Sequence, residues 1–112
     1  MATTQLEQAK WEEFFNNVSK QLVGRPAEIE VAGMDVGDQI EAEFIPMTGI
    51  VYDPKDDLIE VASDVVDHII RKPRQVWVDI GVDGLHSVEV IDADDHRQII
   101  KLVQPLELPP PA

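Results

Sequence analysis

The stretch Gln75-Val76-Trp77-Val78-Asp79-Ile80-Gly81-Val82-Asp83-Gly84-Leu85-His86-Ser87-Val88-Glu89-Val90-Ile91 decides the fold class. Val76, Val78 and Ile80 recur at every second position, and Val88 and Val90 do the same. Successive side chains of a strand point to opposite faces, so this period predicts two strands that each bury one face. Gly81-Val82-Asp83-Gly84 has turn chemistry. So short a connection leaves no room for a crossover helix, and the two strands pair antiparallel.

Working toward the C-terminus, Gln98 to Val103 forms a further strand, joined to Leu85–Ile91 by the turn Asp92-Ala93-Asp94-Asp95-His96. Residues 104–112 hold four of the eight prolines. Proline cannot donate to a ladder, so a mobile, extended tail is expected over 105–112, after one domain at 1–104. Toward the N-terminus, Ala27 to Ala32 alternates, and Gly33 to Asp38 reads as a turn. In Gln39 to Ile45, Ile40, Ala42 and Phe44 face one way and Glu41 and Glu43 the other. Thr48 to Tyr52 and Leu58 to Ala62 flank a five-residue hairpin loop at Asp53-Pro54-Lys55-Asp56-Asp57. Between Ser63 and Arg74, Val65, Val66, Ile69 and Ile70 recur at helical spacing. That favours a short helical turn over an irregular edge segment, with Pro73 ending it.

The chain opens with a helix. Thr4-Gln5-Leu6-Glu7 has the form of a capping box, and Trp11, Phe14, Phe15, Val18 and Leu22 fall on one stripe. Gly24 and Pro26 end it, so a helix is expected from Thr4 to Val23. The fold class that follows is α+β: an N-terminal amphipathic helix packed on a curved antiparallel sheet of six to seven strands. The alternative is a half-open β-barrel plugged by the helix.

Composition narrows function more than it names one. The 112 residues fit a single domain, and 44% apolar content can supply its core. There is no cysteine, so disulfides and thiolate chemistry are excluded. The first residues have no basic, apolar leader, and no apolar run approaches a membrane span. A cytoplasmic location is expected. The formal net charge of −13 repels nucleic acid and anionic membranes, so neither is an expected partner.

Three segments carry a resemblance. They are Trp11-Glu12-Glu13-Phe14-Phe15, then His68-Ile69-Ile70-Arg71-Lys72-Pro73 with Val76-Trp77-Val78, then Val88-Glu89-Val90-Ile91-Asp92-Ala93-Asp94 with a strand ending near Leu102. Over Leu6 to Val103 the chain resembles a family of short bacterial proteins known as a domain of unknown function. The resemblance implies a fold and a bacterial origin, and no functional residues. In that family a glycine is expected after the Ala-Asp pair, where this chain has Asp95.

Candidate chemistry is sparse. The acidic loops at Asp53–Asp57 and Asp92–Asp95 have no EF-hand spacing, and aspartate is a common turn residue. His68, His86 and His96 match no compact metal motif. His86 shares strand parity with Val88 and Val90, which suggests that it faces inward. Asp67, His68, Asp94 and His96 are the weak ligand candidates. Ser63 and Ser87 lie in no nucleophile elbow, so no catalytic residue, cofactor or metal is expected. The one basic cluster is Arg71-Lys72-Pro73-Arg74, with Trp77 close by on the strand face opposite Val76 and Val78. An outward Trp beside cations suits an interface. The reading is therefore a non-enzymatic protein-interaction module, with an unknown protein partner or with itself as a homodimer, through Arg71, Lys72, Arg74 and Trp77. The alternative is a small-molecule or divalent-metal-binding protein. A hydrolase or isomerase ranks below both.

Overall fold

The computed structural model describes residues 2–35 and 37–107. The elements run β1 (Ala2–Leu6), a 3-10 turn (Gln8–Lys10), α1 (Trp11–Leu22), β2 (Pro26–Gly33), β3 (Gly37–Asp53), β4 (Leu58–Ser63), β5 (Asp67–Arg71), β6 (Pro73–Gly81), β7 (Gly84–Asp92) and β8 (Arg97–Leu106). The alternating stretch at 75–91 forms the hairpin β6–β7, with Val76 opposite Val90 and Val78 opposite Val88. Every pairing is antiparallel, in the order β1-β6-β7-β8-β2-β3-β4-β5. The fold is α+β, with eight strands rather than six or seven, and β1 and β5 are the two ends of an open sheet.

β3 explains the shape. It is 17 residues long and changes partner midway. Its first half pairs with β2 as far as Pro46, and its second half pairs with β4 from Met47 onward. The passage runs through Phe44, whose φ is +53°, and through register shifts on both sides. Such bulges bend a strand and increase its twist. β2 thus leaves one edge of the second half of β3 without a strand, and α1 lies along it. The Ile50 N–H donates to Ser19 Oγ (3.1 Å), the Gly24 N–H to the Met47 carbonyl (2.8 Å), and the Met47 N–H to the Arg25 carbonyl (2.9 Å). Gly49 permits this approach, since a Cβ there would stand 2.7 Å from Ser19 Oγ. An edge covered in this way is closed to foreign strands.

The helical stripe supplies the core as its spacing predicts. Trp11, Phe14, Phe15, Val18 and Leu22 are buried with Met47, Ile50, Tyr52, Ile59, Ile70, Val76, Val88, Val90 and Ile100. Trp11 meets Tyr52 edge to face at 5.2 Å, and its indole N–H donates to the Leu6 carbonyl (2.9 Å).

Four expectations need correction. First, Thr4-Gln5-Leu6-Glu7 caps no helix. It belongs to β1 and its exit, with Leu6 opposite Val76, and α1 begins only at Trp11. A ladder with β6 and burial of Leu6 outweigh the local capping pattern. Second, Ser63–Arg74 is not helical. Asp67–Arg71 is a strand on β4, and Val65 and Val66 are exposed in a turn whose N–H groups donate to Ser63 Oγ. Third, Ile40 and Phe44 are exposed, because the bulges shift the register of β3; of Glu41 and Ala42 only the backbone is described. Fourth, His86 is not a core residue. It lies beside the register shift at Leu85/Ser87, and its ring is paired with Asp83 in the turn (2.6 Å).

The boundary expected at residue 104 falls inside β8, which continues to a buried Leu106 opposite Leu85. Pairing of β8 with β2 stops at Leu102, so Pro105 interrupts no ladder on that side. Residues 108–112 of the expected tail lie outside the described residues.

Candidate functional site

A densely hydrogen-bonded polar group among the described residues lies where the β7–β8 turn meets β5. Asp92 ends β7 and is buried. Its Oδ1 accepts the N–H groups of Asp94 (2.9 Å) and His96 (3.0 Å), and its carbonyl accepts the N–H of Asp95 (3.0 Å). Its Oδ2 accepts Gln98 Nε2 (2.8 Å). Gln98 is also buried, and its Oε1 lies 2.5 Å from His68 Nε2. The amide must turn its nitrogen to the carboxylate, so its oxygen faces the imidazole, and His68 donates from Nε2. The chain His68–Gln98–Asp92 thereby ties β5 to the turn between β7 and β8.

A second histidine holds the same turn from outside. His96 Nε2 donates to both oxygens of Asp35 (2.8 and 3.1 Å), which fastens the turn to the tip of the β2–β3 hairpin. The hydrogen bond to Asp35 raises the His96 pKa, and the charges of Asp35, Asp92 and Asp94 add to it, against the opposing effect of desolvation. At the β6–β7 turn, the hydrogen bond from His86 lowers the pKa of Asp83.

The four ligand candidates therefore do not form one centre. Asp67 is exposed on β5, His68 is bound to Gln98, His96 is bound to Asp35, and Asp94 is exposed in the turn. Asp92, Asp94 and His96 do place one ligand atom each within 4.8 Å of one another. Both lone pairs of Asp92 Oδ1 and one of Oδ2 are occupied by donated hydrogen bonds, and His96 Nδ1 stands 3.7 Å from Oδ2 as its ion-pair partner. Hydrogen bonds that define the turn account for this arrangement.

The basic cluster is divided by the backbone. Arg71 and Lys72 are exposed and make no ion pair among the described residues. Arg74 is committed to the β7–β8 turn, where it pairs with Asp95 and donates from Nε to the Asp92 carbonyl (3.2 Å). Lys72 has a φ of +52°; its N–H donates to the Asp57 carbonyl, and its own carbonyl accepts the Ala93 N–H.

Trp77 is half-buried on the face of β6 opposite the buried Val76 and Val78. Its indole N–H donates to Gln75 Oε1 (3.0 Å). Across the strands it lies in the row Gln5–Trp77–Glu89–Ile99–Glu30–Ile40. The two acids in that row are bound, Glu89 by Arg97 (2.8 Å) and Glu30 by Lys101 (3.1 Å). At the end of β1 an open cleft of about 400 Å³ is lined by Gln5, Leu6, Glu7, Gln8, Trp11 and Arg74.

A family model described as a family of unknown function, DUF5335, matches residues 2–111. The chain belongs to that family. An uncharacterized protein of Aquifex aeolicus (strain VF5) is 34% identical over 110 residues, which is 97% of this chain and 99% of that protein. No solved structure matches. The short bacterial family suggested by the helix, the His68–Pro73 segment and the closing hairpin is thereby shown, and it brings no established activity. No helix among the described residues is long and apolar enough to cross a membrane.

For this DUF5335 member the polar chain at Gln98 is what sequence reasoning missed. One signal was present. Gln98 is in phase with the buried Ile100, so a polar side chain was directed into the core and needed a partner there. The expected glycine position is also informative. Asp95 has a φ of +63°, the left-handed region that glycine occupies freely.

Proposed function

We propose that this DUF5335 protein is a non-enzymatic protein-interaction module, acting in the cytoplasm, that receives a protein partner on the outer face of β1, β6, β7 and β8. The observation that supports the reading is Trp77. Its ring is half-buried in an outer cross-strand row, and its one polar atom is already satisfied by Gln75. Such a side chain gives up no hydrogen bond when a partner covers it, and it offers a large, stiff apolar contact. The side chains of Arg71 and Lys72, free of ion pairs among the described residues, add positive charge to a molecule of net charge −13. They suit a partner with carboxylates at its rim.

The test is affinity capture from bacterial lysate with the wild type and with Trp77→Ala, each first shown to be folded by circular dichroism. A protein retained by the wild type and lost from a folded Trp77→Ala supports the reading. Unfolding of Trp77→Ala, or equal retention by both, overturns the role of Trp77.

A further inference from the structure

β5 leaves one end of the sheet open, and the hydrogen bonds at its two ends fix which backbone groups face outward. β4 and β5 pair without a register shift, from Leu58 opposite Arg71 to Ala62 opposite Asp67. Just outside that ladder the Lys72 N–H donates to the Asp57 carbonyl (2.9 Å), and the Ser63 N–H donates to the Val66 carbonyl (3.0 Å). Antiparallel pairs that exchange hydrogen bonds alternate with pairs that do not. His68 and Ile70, in phase with Val66 and Lys72, therefore turn their N–H and C=O groups to β4. Asp67, Ile69 and Arg71 turn theirs away, at the end of the sheet where no strand follows among the described residues. Such an edge is a template for another strand.

The same residues share the outer face. Ile70 is buried and His68 reaches inward to Gln98, so the side chains of Asp67, Ile69 and Arg71 point away from the core. Asp67 and Arg71 are exposed, and neither is in an ion pair among the described residues. They flank Ile69 at equal spacing, one acidic and one basic. A two-fold axis through Ile69 sets β5 antiparallel to its own copy, with Ile69 opposite Ile69 and Asp67 opposite Arg71 on both sides of the axis. The outward N–H and C=O groups then meet as hydrogen-bonded pairs, and opposite charges directly across such pairs attract. No other symmetric register pairs all of the outward residues.

We infer that the β5 edge binds a second copy of the chain, antiparallel about Ile69, through a surface separate from the Trp77 face. Register selects the occupant, because a copy brings Asp67 and Arg71 at the same spacing and in the reverse order. The charges next along the chain keep that polarity. Asp64 lies beyond Asp67 and Lys72 beyond Arg71, so each acidic end comes beside a basic one. Asp57 and Glu60 lie on the β4 side, opposite Lys72 and Ile69, one strand farther from the axis. β1, the other open end, has no charged residue to fix a register. Chains of net charge −13 repel one another, so an edge that pairs must carry its own complementary charges. Arg71 then meets Asp67 of the second copy in place of a foreign carboxylate, and Trp77 stays available to its partner.

Sedimentation velocity over a concentration series, with amide exchange by NMR at the two ends of the series, tests this on the full chain. The wild type is expected to dimerise reversibly. The amides of Asp67, Ile69 and Arg71 gain protection as concentration rises, while those of His68 and Ile70 are protected throughout. Arg71→Asp sets like charges opposite each other and raises the dimer dissociation constant roughly tenfold or more, and adding Asp67→Arg restores it. Ile69→Pro removes an N–H that the fold does not use and abolishes the dimer. A wild type that stays monomeric up to about 1 mM overturns the inference. So does a dimer in which the amides of Asp67, Ile69 and Arg71 stay unprotected, or one indifferent to Arg71→Asp. A dimer lost in Trp77→Ala and kept in Arg71→Asp also overturns it, and moves self-association to the other face. A dimer kept in a Trp77→Ala chain that has lost its lysate partner supports two separate surfaces.

Discussion

The imidazole of His96 occupies the space that a side chain on Gly33 would need: a Cβ built there stands 2.6 Å from His96 Cδ2. The ring lies against the backbone of β2 and reaches Asp35 beyond it. Gly33→Ala should therefore displace the ring and release the β7–β8 turn from the hairpin tip. A cost of about 1–3 kcal/mol is expected, as for other overpacked sites, measured by urea unfolding. The His96 pKa should fall toward its ordinary value in the same variant, read by NMR titration.

The pH dependence has a definite sign. The hydrogen bond to Asp35 raises the His96 pKa above 6.5 in the folded chain. A group whose folded pKa is raised contributes stability that is fully present below its unfolded value and lost as pH rises through the folded value. Stability relative to Asp35→Asn should therefore decline as pH increases from 6.5 through that higher value. Asp83 acts in the opposite sense. Its pKa is lowered from 3.8 by His86, so its contribution is present above 3.8 and is lost as pH falls through the folded value. Urea midpoints across pH for the wild type, Asp35→Asn and His86→Gln check both directions.

Gln98 joins a buried carboxylate to an imidazole, so removing its amide leaves two partners unpaired. Gln98→Leu keeps the side chain close in size, yet it strips Asp92 Oδ2 and His68 Nε2 of the bonds at 2.8 and 2.5 Å. A loss of about 2–4 kcal/mol is expected, more than the net worth of one neutral hydrogen bond, because a buried charge loses its donor. Chemical denaturation gives the number. Amide exchange should speed up first at Asp94 and His96, the N–H groups held by Asp92 Oδ1.

Gly49 and Ser19 should be coupled. Gly49→Ala forces a Cβ to within 2.7 Å of Ser19 Oγ and pushes α1 from the edge of β3, at a cost of about 1–3 kcal/mol. Ser19→Ala alone removes the acceptor of the Ile50 N–H, at about 0.5–1.5 kcal/mol. With both changes the clash is relieved, so the double variant should lose less than the two separate losses together. A double-mutant cycle by thermal unfolding measures the difference.

Asp95→Gly should stabilise the chain. Relief of the +63° φ is worth about 1 kcal/mol, and the exposed pair with Arg74 that is lost contributes little. A higher melting temperature in calorimetry is the expected result.

The sequence was legible where local period and tertiary burial agree. The stripe from Trp11 to Leu22 and the alternation of Val76, Val78, Val88 and Val90 appear in the fold as read. Thr4-Gln5-Leu6-Glu7 misled because its partner, β6, is distant in the chain and no local pattern records it, whereas Val65–Ile70 misled because its apolar spacing fits a helix although the segment folds straight back on β4 after a three-residue turn. Trp77 could be placed by parity alone. The exposure of Phe44 could not, since a bulge is one extra residue that reverses parity without any fixed residue signature. The network at Asp92 was half visible: its aspartates spoke of a turn, while the link through Gln98 to His68 depends on β5 being a strand.

The position of β8 has a consequence for how this protein is made. β8 lies between β7 and β2, and it alone joins β1-β6-β7 to β2-β3-β4-β5 within the ladder. On the ribosome, β1 emerges long before β6, and β2 waits for its second partner until β8 is synthesised. The two halves of the sheet can form as separate hairpins, but the core between them closes only when Ile100 and Leu106 arrive. Completion is therefore late and in one step, rather than progressive along the nascent chain. During that wait the strand edges are open, and mutual repulsion between chains of net charge −13 keeps neighbouring nascent copies from pairing with them.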